Sequence, residues 1–219
     1  MKAFVAGATG LTGRHIVNQL VQRGIPVRAL ARNREAAQSV LPPEAEIHVG
    51  DVLNPESLRT ALAESTVLFC ATGARPGLDF TAPYQVDYQG TRNLVTLAKE
   101  QQIEHFVLVS SLCVSKLFHP LNLFWLVLWW KKQAESDLQQ SGIPYTIVRP
   151  GGLRNDDSSD PIVMATADSL FEGSIPRNRV AQVCVEALFQ PQARNKIVEI
   201  VSRPEASNQS VAELFANVS

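Results

Sequence analysis

The chain has 219 residues, carries 20 Lys+Arg against 21 Asp+Glu for a formal net charge of -1, and is 45% hydrophobic. That length suits one compact core that needs neither metal nor disulfide staples, so residues 1–219 are expected to form a single domain. The balanced charge argues against a nucleic-acid partner, and Cys70, Cys113 and Cys184 lie among apolar neighbours with no metal or redox spacing, as buried thiols of a reducing compartment do.

Met1-Lys2 runs straight into the apolar stretch Ala3–Ala6, leaving no room for a leader, so a soluble, cytoplasmic protein beginning at Met1 is expected. Apolar, β-rich runs recur at 3–6, 26–31, 46–49, 66–71, 105–110 and 145–149, each followed by helical periodicity or by a loop marked by Gly or Pro. A first helix is predicted over about 11–23, with Ile16, Val17, Leu20 and Val21 on one face and Gly24 as its stop. Asn54-Pro55 opens a second with Leu58, Ala61 and Leu62. Asp87 to Glu100 carries Leu94, Leu97 and Ala98 on a third, and about 179–189 carries Val180, Val183, Ala187 and Leu188 on a fourth. The alternation predicts an α/β fold: a doubly wound parallel sheet in three αβα layers, with a small C-terminal extension on the substrate side.

The turn Gly7-Ala8-Thr9-Gly10-Leu11-Thr12-Gly13 leaves an apolar strand and opens an amphipathic helix. A Gly-x-x-Gly-x-x-Gly run alone is weak; this context makes it a dinucleotide site. Gly7 permits the tight turn, Gly10 lets backbone approach a pyrophosphate, and Gly13 lets the helix pack close to the sheet, while the free N–H groups at 10–13 meet the phosphates. Thr9, Leu11 and Thr12 are therefore cofactor contacts too. The second strand, Val27-Arg28-Ala29-Leu30-Ala31, ends in Arg32, nineteen positions after Gly13, where an acidic residue would select NAD. Arg32, with Asn33 and either Arg28 or Arg34 beside it, offers a bidentate seat for a 2′-phosphate instead, so NADP(H) is the predicted cofactor.

Several segments resemble one family, the atypical or extended short-chain dehydrogenase/reductases with an NmrA-like, NADP-binding Rossmann core. They are Gly50-Asp51-Val52, Ala71-Thr72-Gly73, Val86 to Leu94, Val107-Leu108-Val109-Ser110-Ser111, Trp129 to Glu135, and Tyr145 to Leu153. The last two are similar to the NADP-binding module of a chloroplast translocon component that associates with ferredoxin-NADP reductase, which implies a cyanobacterial or plastid lineage and, for a plastid source, the stroma. The resemblance implies that Asp51 and Val52 contact adenine, that Ala71, Thr72 and Gly73 lie beside ribose, and that Pro150, Gly151 and Gly152 are cofactor contacts. Lys131 is then the family lysine, binding the nicotinamide ribose and taking part in catalysis with Ser110 and Ser111. The chain stops at Ser219 without that relative's proline/serine-rich repeats, so the resemblance does not carry the reductase partnership over to it.

Departures from the family matter as much. The usual pair is Tyr-x-x-x-Lys, in which the lysine lowers the tyrosine pKa for proton exchange with a carbonyl. Four positions before Lys131 stands Val127, and no tyrosine precedes a lysine at that spacing. Arg179 stands where relatives commonly carry aspartate. Residues 117–130, the most apolar stretch, are too short to span a bilayer. They read as a core helix with a loop over the cofactor, as a lid over a flat substrate, or as a patch for a membrane or protein partner, with Trp125, Trp129 and Trp130 favouring contact.

Other patterns carry less. Asn155 to Pro161 lacks the ligand spacing of a calcium loop and reads as a solvated turn. His15, His48, His105 and His119 form no metal pair, so no metal site is predicted; His119 alone falls near the substrate mouth. Two functions remain. One is an NADPH-dependent oxidoreductase acting on a conjugated quinone, flavin or tetrapyrrole-like acceptor. The other is a non-catalytic module that reports the NADP+/NADPH ratio to a partner.

Overall fold

Strand β1 (Ala3–Ala6) is buried along its whole length, with Ala3 and Val5 in one core and Phe4 and Ala6 in another. Burial on both faces is why the run is continuously apolar rather than alternating. The computed structural model describes residues 1–74, 77, 79–116, 118–123 and 126–218. After β1 come α1 (Gly13–Gln22), β2 (Val27–Ala31), α2 (Arg34–Gln38), β3 (Glu46–Val49), α3 (Pro55–Leu62) and β4 (Val67–Cys70). A π-helical stretch, Pro83–Gly90, runs directly into α4 (Thr91–Glu100), and β5 (His105–Val109), α5 (Val127–Gln140) and β6 (Tyr145–Pro150) follow. The chain closes with β7 (Gly152–Arg154), β8 (Ile162–Thr166), β9 (Ser174–Pro176), α6 (Arg177–Glu186), β10 (Lys196–Ser202) and α7 (Val211–Asn217).

The strand order is β3-β2-β1-β4-β5-β6-β10-β9-β7, and neighbours from β3 through β10 pair in parallel. β8 runs antiparallel on β10, from Val198 opposite Thr166 to Ser202 opposite Ile162. Leu20 of α1, Val183 of α6 and Phe215 of α7 pack on one face of the sheet, and Leu58 of α3, Leu94 of α4 and Leu138 of α5 on the other. The architecture is a doubly wound Rossmann fold with three αβα layers, and β7 to β9 form the added C-terminal piece.

Four features depart from the sequence expectation. Strand β10 and helix α7 lie outside it, β10 because Glu199 interrupts its apolar run between the polar ends Lys196 and Ser202. α2 is a single short helix, started by the Asn33 side chain accepting from the Ala36 N–H at 2.8 Å. The helix expected from Asp87 begins four residues earlier in a wider π turn, a geometry that concentrates at functional positions.

Candidate functional site

The chain order reverses between β1 and β4, so the loops leaving these strands diverge and open a crevice at their carboxyl ends. A continuous cleft lies there in two halves that share Thr9, Gly10, Ala71, Thr72, Gly73 and Ala74. The smaller half, about 400 Å³, is lined by Gly7, Arg32, Asp51 and Val52 among others. The larger, about 1180 Å³, is lined by Leu11, Thr12, Ser110, Ser111, Lys131, Pro150, Gly151 and Gly152. Every predicted site residue except Gly13 therefore faces one cleft.

The three glycines of the first turn differ in what requires them. A Cβ on Gly13 would stand 2.1 Å from the Gly7 carbonyl oxygen, and one on Gly7, whose φ is +77°, would stand 2.6 Å from the Ala71 carbonyl oxygen. Both are demanded by the protein's own backbone. A Cβ on Gly10 would meet only the Gly7 carbonyl oxygen, at 3.1 Å, so the space it leaves belongs to the cleft. The N–H groups of Leu11 and Thr12 find no backbone acceptor among the described residues, and Thr12, the residue before α1, makes no side-chain cap. Open space beside unpaired donors at a helix N-terminus fits a pyrophosphate.

At the far end of the smaller half Arg32 is exposed, and no carboxylate pairs with it among the described residues. Two of the residues expected beside it are engaged elsewhere. Asn33 caps α2, and Arg28 is buried, donating to the carbonyls of Ala61 and Ala63 and pairing with Glu46 at 3.0 Å. Arg28 thus ties β2 to β3 and α3, correcting the expectation that it flanks Arg32.

In the larger half, Lys131 on α5 pairs with Asp87 of the π stretch at 2.7 Å. Burial would lower the pKa of Lys131, but the Asp87 carboxylate raises it above the ordinary value, so the amine stays an ammonium. The other Asp87 oxygen accepts the Ala74 N–H at 3.1 Å, so one buried carboxylate holds the lysine against the turn after β4. Ser110, at the end of β5, donates its hydroxyl to Glu135 at 2.6 Å. Glu135 lies one helical turn beyond Lys131 and is itself gripped by Arg149, at 2.9 Å from Nε and 2.7 Å from Nη2. Arg149 also donates to Glu199 at 3.2 Å, and Glu199 accepts the N–H groups of Asp168, Ser169 and Leu170 at 2.7 to 3.0 Å. Arg149, Glu135 and Glu199 are all 0% exposed. This network fastens the segment leading to Phe171, a wall of the larger half, to the helix that carries Lys131.

Sequence reasoning assigned no role to Asp87, Glu135, Arg149, Glu199 or Arg177. The available signal was a charged residue inside an apolar strand, as in Val148-Arg149-Pro150 and Val198-Glu199-Ile200. No tyrosine is among the residues lining the larger half. Tyr84 and Tyr88 instead pack on Trp130, with centroids 4.9 and 5.7 Å away. Of the apolar side chains described within 117–130 only Leu128 is buried, which corrects the core-helix reading, whereas Phe118 is 98% and Leu123 80% exposed. His119 lines the larger half. Trp125 lies outside the described residues. Asp156 and Asp160 of the polar loop pair with Arg154 at 3.0 and 3.7 Å.

A glycine turn under a switch-point crevice, with a lysine held at its wide end, defines a nicotinamide-dinucleotide-binding protein of Rossmann type. Residues 7–191 match the NAD(P)H-binding family, and the chain belongs to it. It is similar to an uncharacterized chloroplastic protein of Arabidopsis thaliana, 47% identical over 99% of this chain and 82% of that one. Protein TIC 62 of Pisum sativum is 34% identical over 98% of this chain but 45% of its own length, so the chain spans under half of that relative. Sanguinarine reductase of Eschscholzia californica is 30% identical over 99% and 94% of the two chains. A solved structure, a putative NAD-dependent epimerase/dehydratase from Bacillus halodurans, superposes with a TM-score of 0.89 at 25% identity over 100% of both chains. The protein is an atypical short-chain dehydrogenase/reductase of a plastid-associated lineage. Among the described residues no helix is long and apolar enough to cross a membrane.

Proposed function

We propose that the protein is an NADPH-dependent reductase of a flat conjugated acceptor, a quinone, flavin or tetrapyrrole-like ring. The observation that carries this reading is the larger half of the cleft. At about 1180 Å³ it exceeds what the nicotinamide end of a cofactor fills, and Leu112, Cys113, Leu153 and Phe171 give it an apolar wall. Bound NADPH supplies a hydride. Arg32 receives the 2′-phosphate, the N–H groups of Leu11 and Thr12 receive the pyrophosphate in place of the Gly10 N–H, which is bonded to the Gly7 carbonyl at 2.9 Å, and Lys131, fixed as an ammonium by Asp87, holds the nicotinamide ribose. Because the Ser110 proton is committed to Glu135, Ser110 offers the cleft an acceptor, and Ser111 is the hydroxyl left to donate to an acceptor oxygen. A conjugated ring spreads the charge of an added hydride and takes its proton from solvent through the open cleft, so it does not require the tyrosine that Val127 replaces.

The similarity to sanguinarine reductase over nearly both whole chains supports a reductase, and the chloroplastic relatives support a plastid stroma or a cyanobacterial cytoplasm as its setting. The test is NADPH oxidation by purified protein across a panel of quinones, flavins and bilins; absence of turnover with all of them overturns the reading. A second reading, a module that reports the NADP+/NADPH ratio, is favoured by the exposed apolar side chains of Phe118, Leu123, Leu126 and Trp129 beside the cleft residue His119. It requires liposome or partner association that differs between NADP+ and NADPH, and equal association refutes it.

A further inference from the structure

We infer that Arg177, the first residue of α6, grips the nicotinamide-side phosphate of the bound dinucleotide, adding a cation beside the end of the glycine turn. The inference rests on the cofactor site proposed above and adds a residue from the far end of the chain to it. α1 and α6 pack side by side and parallel. Arg177 meets Thr12 at their amino ends, and Arg23 meets Glu186 at 2.8 Å near their carboxyl ends. Two helix N-termini, each the positive end of a ten-residue helix, therefore meet at the edge of the larger half.

Stability alone would place acidic residues in these first turns. Neither has one, and they carry Arg14 and Arg177 instead. Among the described residues no carboxylate forms a salt bridge with either arginine. The adjacent loop carries three acids, yet Asp156 and Asp160 pair with Arg154, and Asp157 contacts Asn178 at 3.5 Å. Burial first, and then the charge of Arg14, push the Arg177 guanidinium below its ordinary pKa, and an anionic ligand in contact with it offsets both.

The side chain is also aimed. Nε donates to Asn155 Oδ1 at 2.8 Å and Nη1 to Thr12 Oγ1 at 3.2 Å, which fixes the guanidinium plane beside the N-terminus of α1. These bonds use two of five donors, and Arg177 lines the larger half together with Thr12, Gly151 and Gly152. A helix N-terminus supplies only about half a positive charge, whereas a pyrophosphate carries two negative charges and the glycine turn itself brings no cation. A forked cation held beside the turn completes the match. Asn155, in the loop that reads from sequence as a solvated turn, is then a positioning residue for Arg177.

The experiment measures the affinities of NADPH, NADH and adenosine 2′,5′-bisphosphate for the wild type, R177Q, R177K and N155A. The bisphosphate has the 2′-phosphate and the adenine-side phosphate but no nicotinamide-side phosphate. R177Q should weaken NADPH and NADH alike by roughly 10- to 100-fold and leave the bisphosphate within about twofold. R177K should recover part of the loss, and N155A should give a smaller loss in the same pattern. Unchanged NADPH affinity in R177Q, or an equal loss for all three ligands, overturns the assignment. N155A keeps it testable should R177Q fail to fold. Failure of the wild type to bind any of the three sinks the cofactor reading and the Arg177 assignment together, an outcome distinct from selective failure in R177Q.

Discussion

Adding one methyl at Gly10 and one at Gly13 should have opposite consequences, because different neighbours occupy the two positions. At Gly13 a Cβ would lie 2.1 Å from the Gly7 carbonyl oxygen and 3.0 Å from the Ala8 Cα, so the helix start and the preceding turn cannot both stay in place. Backbone rather than a flexible side chain is in the way. Gly13→Ala should therefore cost at least the ~1–3 kcal/mol typical of overpacking. At Gly10 the nearest atom is 3.1 Å away, the φ is not left-handed, and a few tenths of an ångström accommodate the methyl. The methyl also narrows the unfolded ensemble, worth roughly 0.4–1 kcal/mol in the folded state's favour. Gly10→Ala should keep the wild-type melting temperature within a few degrees, yet lose NADPH affinity by roughly tenfold or more, since ~1.4 kcal/mol of lost phosphate contact suffices for that. Thermal melts with and without NADPH, alongside a fluorescence titration, measure both quantities. Equal destabilisation by the two alanines, or full NADPH affinity in Gly10→Ala, would refute the argument that the protein needs Gly13 and the ligand needs Gly10.

Arg32→Ala should weaken NADPH by roughly 10- to 100-fold while leaving NADH unchanged, because a charge-assisted contact to the 2′-phosphate is worth about 1.5–3 kcal/mol; equal losses would remove Arg32 from that role. Arg149→Leu strands Glu135 and Glu199 in the interior and should cost about 3–5 kcal/mol in urea unfolding. Arg154→Leu, whose partners sit in a half-exposed loop, should cost no more than about 1 kcal/mol; similar values would mean that burial does not set the difference. His105 is 2% exposed, and its Nε2 lies 2.9 Å from Thr146 Oγ1, whose own proton goes to the Ala193 carbonyl. The ring is therefore a neutral donor there, and burial pushes its pKa down to about 4. The unfolded chain takes up this proton near the ordinary imidazole value of 6.5, well before the folded one does, so stability falls as pH drops from 6.5 toward 4, by up to ~3 kcal/mol. His105→Gln should flatten that part of the pH profile of unfolding free energy, and an unchanged slope would assign it to other groups.

How far the sequence could be read depended on whether neighbours along the chain or across the fold set each feature. Ala3–Ala6, Val67–Cys70 and His105–Val109 are legible as buried strands because two-sided burial leaves an unbroken or nearly unbroken apolar run. The turn from Gly7 to Gly13 is legible because its strand, glycines and helix are contiguous, and Arg32 because the second strand places it a fixed distance later. β10 was hidden for the converse reason. Lys196 and Glu199 break its pattern, and Glu199 can be buried only because Arg149 and three backbone N–H groups from the 168–170 turn meet it there. Lys131 could be named as the family lysine from its neighbours, but Asp87, which keeps it charged, comes from an element forty-four positions earlier.

The chain by itself therefore determined the fold class, the crevice and the dinucleotide, since these follow from hydrophobic period and from glycine sterics within a few residues. Tertiary structure alone decided which charges act on the site. It paired Lys131 with Asp87, committed the Ser110 proton to Glu135, removed Arg28 from the phosphate end and brought Arg177 to Thr12. Coulomb energy and desolvation depend on distance and burial in space, and residue order along the chain encodes neither.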